Sequence, residues 1–273
     1  GKAEKGVGVM KRIGVFSDLH CGHRAGLTPP CYQWQTDSDD PIRNKFALAQ
    51  ADMWSRFKAD LDKVKAEHPI DIAIINGDSI DGKGTKSGGT ELITSDRKDQ
   101  CIIAARCIRE IDAETILMTY GTGYHVGNDE DWERDVAEAV DALKIESHGL
   151  YEIEGLVLDA RHFVSSSIIP HGRFTALARE NLWANIWADR YPGSKPDILI
   201  RSHVHYYGFC GDAEWMGMTT PALQGMGSKF GSRICSGKVD FGFIIIDINQ
   251  GDYRWKAYTH PVITGTREVL RLS

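Results

Sequence analysis

The sequence predicts an α/β domain with both parallel and antiparallel strands, on three observations. In the first half, short apolar runs alternate with amphipathic stretches in the order βαβαβα. In the second half strands dominate, arranged as two hairpins and a further strand around one helix. Apolar residues make up 42% of the 273 residues and charged residues 26%, which is a globular composition. The alternation is typical of parallel strands with crossover helices, and the hairpins add antiparallel strands.

The elements of the first half follow from hydrophobic periodicity. Continuous apolar runs of strand length alternate with stretches in which apolar residues recur at threes and fours, such as Phe46, Met53 and Phe57. Proline and glycine mark the loops between them. We predict strands at 12–17, 70–76 and 115–120, helices at 44–67, 96–111 and 131–143, and polar or glycine-rich loops at 21–43 and 82–89.

The second half has fewer crossover signals. Glu154 and Gly155 indicate the turn of one hairpin, and Gly251 lies near the turn of another. We predict a hairpin over 151–163, a helix over 174–190, a strand at 197–202 and a final hairpin of 241–248 and 253–260. With no repeat and no linker visible, residues 10–273 are predicted to form a single domain, and 1–9 to be a cloning remnant or disordered tail.

Composition also restricts the class of protein. The net charge of −6 indicates no general nucleic-acid-binding surface, although bound cations can supply positive charge locally. The six cysteines are scattered without a Cys-x-x-Cys pair, which favours reduced thiols and a cytoplasmic protein. No apolar run approaches the roughly 20 residues that span a bilayer, and no signal peptide is visible, so no membrane association is expected.

Polar side chains follow predicted strands at four places. Ligands bind beyond the carboxyl ends of strands in open α/β sheets. Two Asp-x-His or His-x-His pairs each place two side chains on one side of an extended segment, and Gly77 permits a tight turn before the second aspartate. The candidate metal-binding residues are Asp18, His20, Asp78, His162, His203 and His205.

Two carboxylates and four imidazoles are enough for two ions that share a carboxylate. Mixed oxygen and nitrogen ligands suit Mn, Fe, Zn or Co better than Ca. Two metals about 3.5–4 Å apart stabilise the attacking and leaving oxygens of an in-line displacement and make hydroxide available near neutral pH. The residues therefore predict a dinuclear site that hydrolyses phosphate esters with a metal-activated hydroxide.

Each motif has a weaker explanation when taken alone. In a chain with ten histidines, one His-x-His pair can arise by chance. Asp78 could cap a helix or belong to a turn, and His162 could be structural. The conjunction of all motifs, each at a strand end, favours the metal centre.

The order of these motifs resembles the calcineurin-like metallophosphoesterase family. That family shows D-x-H, G-D, a G-x-H-type loop, an isolated histidine and then [GS]-H-x-H. The corresponding residues are Asp18-Leu19-His20, Gly77-Asp78, Gly121-Thr122-Gly123-Tyr124-His125, His162 and Ser202-His203-Val204-His205. The resemblance implies a four-layer αββα sandwich of two mixed β-sheets flanked by helices, with metals at the strand ends.

The resemblance also implies roles for these residues. Asp18, His20 and His205 would hold one metal, while His162 and His203 would hold the other and Asp78 would bridge them. His125 resembles the catalytic histidine of the family, which contacts the phosphate and protonates the leaving oxygen. His125 and Asp78 are thus the expected catalytic residues.

Two departures from the family pattern concern the metal edge. The family loop usually reads Gly-Asn-His-Asp/Glu, and either Thr122 or Tyr124 could occupy the asparagine position here. We expect Thr122 at the metal edge, as a weak ligand or by way of water, with His125 still catalytic. Ser202 replaces the usual glycine before the last histidine pair, and we expect little effect from this small residue.

The isolated histidine of the family could be His162 or His171. We expect His162, because it ends a predicted strand, and strand ends position ligands more firmly than loops. His171 and Arg173 are then candidates for substrate contact, since arginine suits bidentate recognition of phosphate. Arg173 could equally be a solvated residue at a helix start.

The leading hypothesis is hydrolysis of phosphate esters, with phosphodiesters favoured, and with nucleotides or nucleic acids among the candidate substrates. One alternative is a DNA or RNA nuclease of the same family, which the sequence pI of about 5.9 opposes. The other is a catalytically weak scaffold that binds a partner, which the altered GTGYH loop favours. The oligomeric state stays open.

Overall fold

The computed structural model describes residues 10–37, 39–126, 131–167, 169–225 and 239–261. The predicted tail, 1–9, lies outside these residues. Within these residues five segments are α-helical: α1 (Pro41–Glu67), α2 (Arg97–Arg109), the single turn α3 (Gly123–Val126), α4 (Trp132–Ala139) and α5 (Arg173–Ala188). The strands are β1 (Lys11–Phe16), β2 (Ile72–Asn76), β3 (Thr115–Thr119), β4 (Lys144–Glu146), β5 (Gly149–Ile153), β6 (Leu156–Arg161), β7 (Ile198–Arg201), β8 (Gly208–Gly211), β9 (Met216–Thr219), β10 (Asp240–Asn249) and β11 (Asp252–Pro261).

The strands form two mixed sheets. The first sheet has six strands in the order β11-β10-β1-β2-β3-β4, and the second has five in the order β5-β6-β7-β9-β8. Strands β1 to β4 are parallel, and the β10–β11 hairpin adds antiparallel strands at one edge. In the second sheet β6, β7 and β9 are parallel, with antiparallel β5 and β8 outside them. The prediction of two mixed sheets is confirmed.

Within the described residues, three clusters of buried apolar residues lie between the four layers. Alternate residues of β1 face opposite sides, as a strand requires: Ile13 and Val15 join the core between the sheets, and Phe16 joins the core beneath the helices. The inter-sheet core draws on strands of both sheets, including Ile74, Leu158, Ile200 and Ile246. Helices α1, α2 and α4 cover the outer face of the first sheet, and α5 covers the second. The order is helices, sheet, sheet, helix, which is the predicted αββα sandwich.

Predicted and observed elements differ mainly where elements are short. Helix α1 begins at Pro41 rather than at 44, because the Asp40 side chain accepts a hydrogen bond from the Arg43 amide at 2.9 Å. Helix α4 ends at Ala139, and the chain goes on to β4. Sequence reasoning missed β4, β8 and β9, because strands of three or four residues are too short to show a period.

Two further sequence-based predictions concern membrane-spanning segments and the state of the cysteines. Among the described residues, no helix combines the length and apolar content needed to cross a bilayer. The five cysteines within the described ranges are all free thiols: Cys21, Cys31, Cys101, Cys107 and Cys210.

Candidate metal centre

The predicted ligands follow four strands whose carboxyl ends share one edge of the sandwich. Backbone hydrogen bonds continue the β1–β2 pairing beyond the strands, with the Asp18 amide donating to Gly77 O at 3.0 Å and the His20 amide to Asp78 O at 2.9 Å. In the second sheet the Ser202 amide donates to His162 O at 2.8 Å. These bonds hold the ligands of each sheet side by side, and the His203 amide, which donates to Asp18 Oδ2 at 3.3 Å, connects the two sheets.

Six side chains form two groups that could each hold a metal ion. In each group one ligand atom per residue lies within 4.8 Å of the others. Both groups contain one carboxylate and two imidazoles, and their members are buried or nearly so. We call Asp18, His20 and His205 the first ligand group, and Asp78, His162 and His203 the second ligand group.

The carboxylate of each group also lies near an imidazole of the other group. Asp78 Oδ2 is 3.0 Å from His162 Nε2 and 4.0 Å from His20 Nε2. Asp18 Oδ1 is 3.1 Å from His205 Nε2 and 3.9 Å from His162 Nε2. The resemblance assigns the bridging position to Asp78 alone, but the geometry brings Asp18 close to both groups as well.

The backbone at the ligands is strained. Non-glycine residues avoid positive φ, and strained residues persist only where the surroundings hold them. The backbone hydrogen bonds described above supply that constraint. Five of the six ligands have φ between 44° and 72°: His20, Asp18, Asp78, His205 and His203.

Two glycines allow the loops to approach the ligands closely. A Cβ at Gly77 would lie 2.6 Å from the His162 ring, and one at Gly121 would lie 2.1 Å from Asp78 Oδ1. Gly77 also has a φ of 78°, which side chains rarely adopt. Neither position accepts a larger residue without displacing a ligand.

The hydrogen bonds of the ligands fit a metal. Asn76 O, which can only accept, lies 2.7 Å from His162 Nδ1, so that nitrogen carries a proton and Nε2 faces the site. Asp81 Oδ1 lies 3.0 Å from His20 Nδ1 and orients that ring in the same way. Asp18 Oδ1 and His162 Nε2 are fully buried, and they lie 3.1 Å from His205 Nε2 and 3.0 Å from Asp78 Oδ2, which belong to the same two groups. A cation would satisfy both atoms.

The neighbours shift the pKa values of the ligands in opposite directions. Burial, helped by the nearby His125, lowers the pKa of His20 to about 4. Burial acts in the same direction on His162, but Asp78 and Asp18 outweigh it and raise that pKa to about 10. The same interactions hold the pKa of Asp78 well below its usual range, although burial acts to raise it. Both carboxylates are therefore charged and available to a cation at neutral pH.

The GTGYH loop brings Thr122 and His125 to the centre. The Thr122 amide donates to Asp78 Oδ1 at 2.7 Å, and its hydroxyl lies 3.2 Å from the same oxygen. His125 Nδ1 lies 2.9 Å from Asp81 O, which can only accept, so Nδ1 carries the proton. The His125 ring centroid is 4.5 Å from that of His20. Thr122 thus orients a ligand, and His125 lies beside the first ligand group.

Sequence reasoning missed three residues that hold the ligands in place. Asp81 and Asn76 accept from the imidazoles of His20 and His162. The buried Glu133 accepts from the Ser79 amide at 2.8 Å and the Gly121 amide at 2.6 Å, which joins the two loops around Asp78. Burial and the charge of Asp78 raise the pKa of Glu133 to about 7. One signal was present in the sequence: Glu133 shares a helical face with Val136, Ala137 and Val140.

The two candidate substrate contacts lie differently. His171 is exposed in the 3-10 turn Pro170–Gly172. Arg173 begins α5, with its guanidinium 4.2 Å from the centroid of the Tyr206 ring. Tyr206 is 5% exposed and follows the ligand His205. Arg173 therefore packs next to the ligand loop, and its proposed contact with phosphate stays a prediction.

Among known proteins, this chain matches solved structures only. No family model matches the chain, and no curated protein sequence matches it. Among solved structures, an archaeal phosphodiesterase is similar at 13% identity and a TM-score of 0.47, over 90% of this chain and 99% of that one. Vps29 of Entamoeba histolytica with bound Zn²⁺ is similar at 14% identity and a TM-score of 0.43, over 92% and 99%.

A predicted phosphoesterase of Streptococcus pneumoniae is similar at 10% identity and a TM-score of 0.36, over 91% of this chain and 98% of that one. These TM-scores lie below 0.5, so the likenesses say nothing about what this chain does. The two mixed sheets, the helices outside them and the motifs at the strand ends themselves define the αββα sandwich.

Proposed function

We propose that this protein is a metal-dependent phosphoesterase whose preferred substrates are phosphodiesters, and that residues 10–273 form its single domain. The observation that carries the proposal is the meeting of the two ligand groups between the sheets, with Asp18 Oδ1 and His162 Nε2 buried against other members of these groups. A site built in this way fits two divalent cations, Mn, Fe, Zn or Co.

Such cations, when bound, neutralise the charge of the phosphate and lower the pKa of water. The chain's own residues supply position and a proton. Asp78 and Asp18 lie between the ligand groups and remain charged, while the proton on Nδ1 of His20 and of His162 turns each Nε2 towards the site. Thr122 orients Asp78 through two contacts to Oδ1.

We propose His125 as the general acid. Its Nδ1 donates to Asp81 O, so Nε2 is the atom that takes up a proton and delivers it to the leaving oxygen of the ester. The contact with His20 places this ring beside the first ligand group. Asp81 therefore positions a ligand with its carboxylate and the acid with its backbone carbonyl.

The test is hydrolysis of bis(p-nitrophenyl) phosphate and of p-nitrophenyl phosphate by metal-stripped protein that is given back Mn²⁺. We expect no activity without metal, restored activity with Mn²⁺ and a preference for the diester. Activity that survives both chelation and Asp78→Ala would refute the proposal. A metal content near zero in the purified protein, together with no turnover, would favour the partner-binding scaffold instead.

A further inference from the structure

Phe163 is an exposed aromatic side chain at the edge of the second ligand group. It directly follows the ligand His162, and 51% of its surface is exposed. The centroid of its ring lies 5.0 Å from that of His203, with 40° between the planes. A large apolar surface thus lies open to solvent against a metal-binding imidazole.

The exposure of Phe163 is imposed by its neighbours. His162 and Val164, on either side of it, are each 1% exposed. Val164 packs with Val204, which lies between the ligands His203 and His205. The backbone at residue 163 is therefore held by the same loop that carries the ligands, and the phenyl ring is the side chain directed outwards.

An exposed phenylalanine alone would need no explanation, because many apolar atoms remain on protein surfaces. Phe209 on β8 is such a residue, with 50% exposure and ring contacts to Tyr207 and Trp255. Phe163 differs in one respect: it borders the ligand group that would hold the phosphate of a substrate.

A second exposed ring lies by the first ligand group. Tyr124 is 37% exposed and meets the His125 ring edge-on, with centroids 4.8 Å apart. This contact orients His125, so Tyr124 cannot be truncated without disturbing the proposed acid. Tyr206, in contrast, is buried beneath Arg173. Phe163 is thus the ring that offers a free face beside the ligands and can be tested by itself.

We infer that Phe163 is a stacking surface for a nucleobase attached to the phosphate on the side opposite the leaving group, so that the preferred substrates are nucleoside phosphodiesters. The inference rests on the proposed function and specifies its substrate class. Aromatic side chains stack on any nucleobase, because every base has a π face, and they do so whichever base it is. With the phosphate at the ligand groups, the base of the nucleoside covers the phenyl face.

The experiment compares two diesters with the same leaving group, thymidine 5′-(p-nitrophenyl phosphate) and methyl p-nitrophenyl phosphate, in the Mn²⁺-loaded protein. Wild-type protein is expected to prefer the nucleoside ester in kcat/KM. Phe163→Ala should lower this preference about 10-fold, within the range of stacking contributions. Phe163→Trp should keep or increase it.

Phe209→Ala is the matched control, since it removes an equally exposed phenyl ring that contacts Tyr207 and Trp255, and it should keep the wild-type preference. A preference that is the same in wild-type and Phe163→Ala protein would overturn the inference, while turnover of both esters would leave the proposed function standing. If metal-loaded wild-type protein turned over neither ester, the proposed function would be refuted, and this inference with it.

Discussion

The two ligand groups have the same composition but different surroundings. In the first, a carboxylate, Asp81, orients His20, and the pKa of that imidazole is lowered to about 4. In the second, a backbone carbonyl orients His162, which lies 3.0 Å from Asp78 and has its pKa raised to about 10. Identical ligand sets thus acquire opposite protonation preferences, because burial and the neighbouring His125 outweigh the carboxylates at His20, whereas Asp78 and Asp18 together outweigh burial at His162. The first ligand group is ready for a cation at neutral pH, and the second must lose a proton first.

The largest effect is expected from Asp78→Asn, which tests whether the two ligand groups act as one metal centre. Asp78→Asn removes the charge that lies between them, and kcat/KM for bis(p-nitrophenyl) phosphate should fall about 1,000-fold or more. Metal analysis of the variant should show a loss from the second ligand group first. Activity within tenfold of wild type would mean that the first ligand group works alone.

The difference in protonation predicts how metal affinity depends on pH. Binding at the second ligand group must displace the proton that His162 holds, so its affinity should rise about tenfold per pH unit between roughly pH 7 and 9. The affinity of the first ligand group should stay nearly flat over that range, because His20 is already neutral. Calorimetric titration with Zn²⁺ in buffers of different ionisation enthalpy measures the affinity of each ligand group and the protons released on binding. Equal pH slopes at the two groups would contradict the comparison.

The same two histidines affect the stability of the metal-free protein. The raised pKa of His162 stabilises the fold fully below about pH 6.5 and loses this contribution as pH rises towards 10. The lowered pKa of His20 acts in reverse: its contribution is complete above about pH 6.5 and is lost as pH falls through 4. In urea titrations, His162→Gln should therefore flatten the alkaline side of the stability profile and His20→Gln the acidic side.

The residues that hold the ligands offer a smaller, group-specific test. Asp81→Asn should weaken metal binding at the first ligand group about 10- to 100-fold, since outer partners of a ligand have effects of that size. Glu133→Gln should weaken the second to a similar extent, because one of the two loop amides around Asp78 loses its acceptor. Each variant is the control for the other, and metal titrations that showed both groups weakened equally would argue against separate supports.

The smallest effect concerns the seam between the sheets. Ser202 Oγ accepts from Asn76 Nδ2 at 2.6 Å and lies 2.7 Å from Thr220 Oγ1, which in turn lies 2.7 Å from Ser17 Oγ. The sequence leads us to expect little effect from serine in place of glycine, whereas these contacts lead us to predict a measurable effect on stability. Ser202→Gly should lower the free energy of unfolding by about 1–3 kcal/mol. Ser202→Ala separates the loss of the hydroxyl from the added backbone freedom of glycine. A urea midpoint equal to that of wild type in both variants would show that the Ser202 hydroxyl does not stabilise the contact between the sheets.

The sequence by itself determined the order of the main strands and helices and the placement of six candidate ligands after strand ends. Both depend on local information: the period of apolar residues along an element, and the rule that parallel strands present their carboxyl ends at one edge. The short strands β4, β8 and β9 were not predicted, because three or four residues are too few to show a period.

Only the tertiary structure decided which side chains support the ligands. Asp81 meets His20 across 61 positions of the chain, and Glu133 meets the Ser79 amide across 54. Asp18 lies close to both ligand groups, and Phe163 is exposed between two buried neighbours. Such facts depend on how two sheets pack against each other, and the residues involved are far apart in sequence. The opposite pKa shifts of His20 and His162 have the same origin, because burial and charge act through space rather than along the chain.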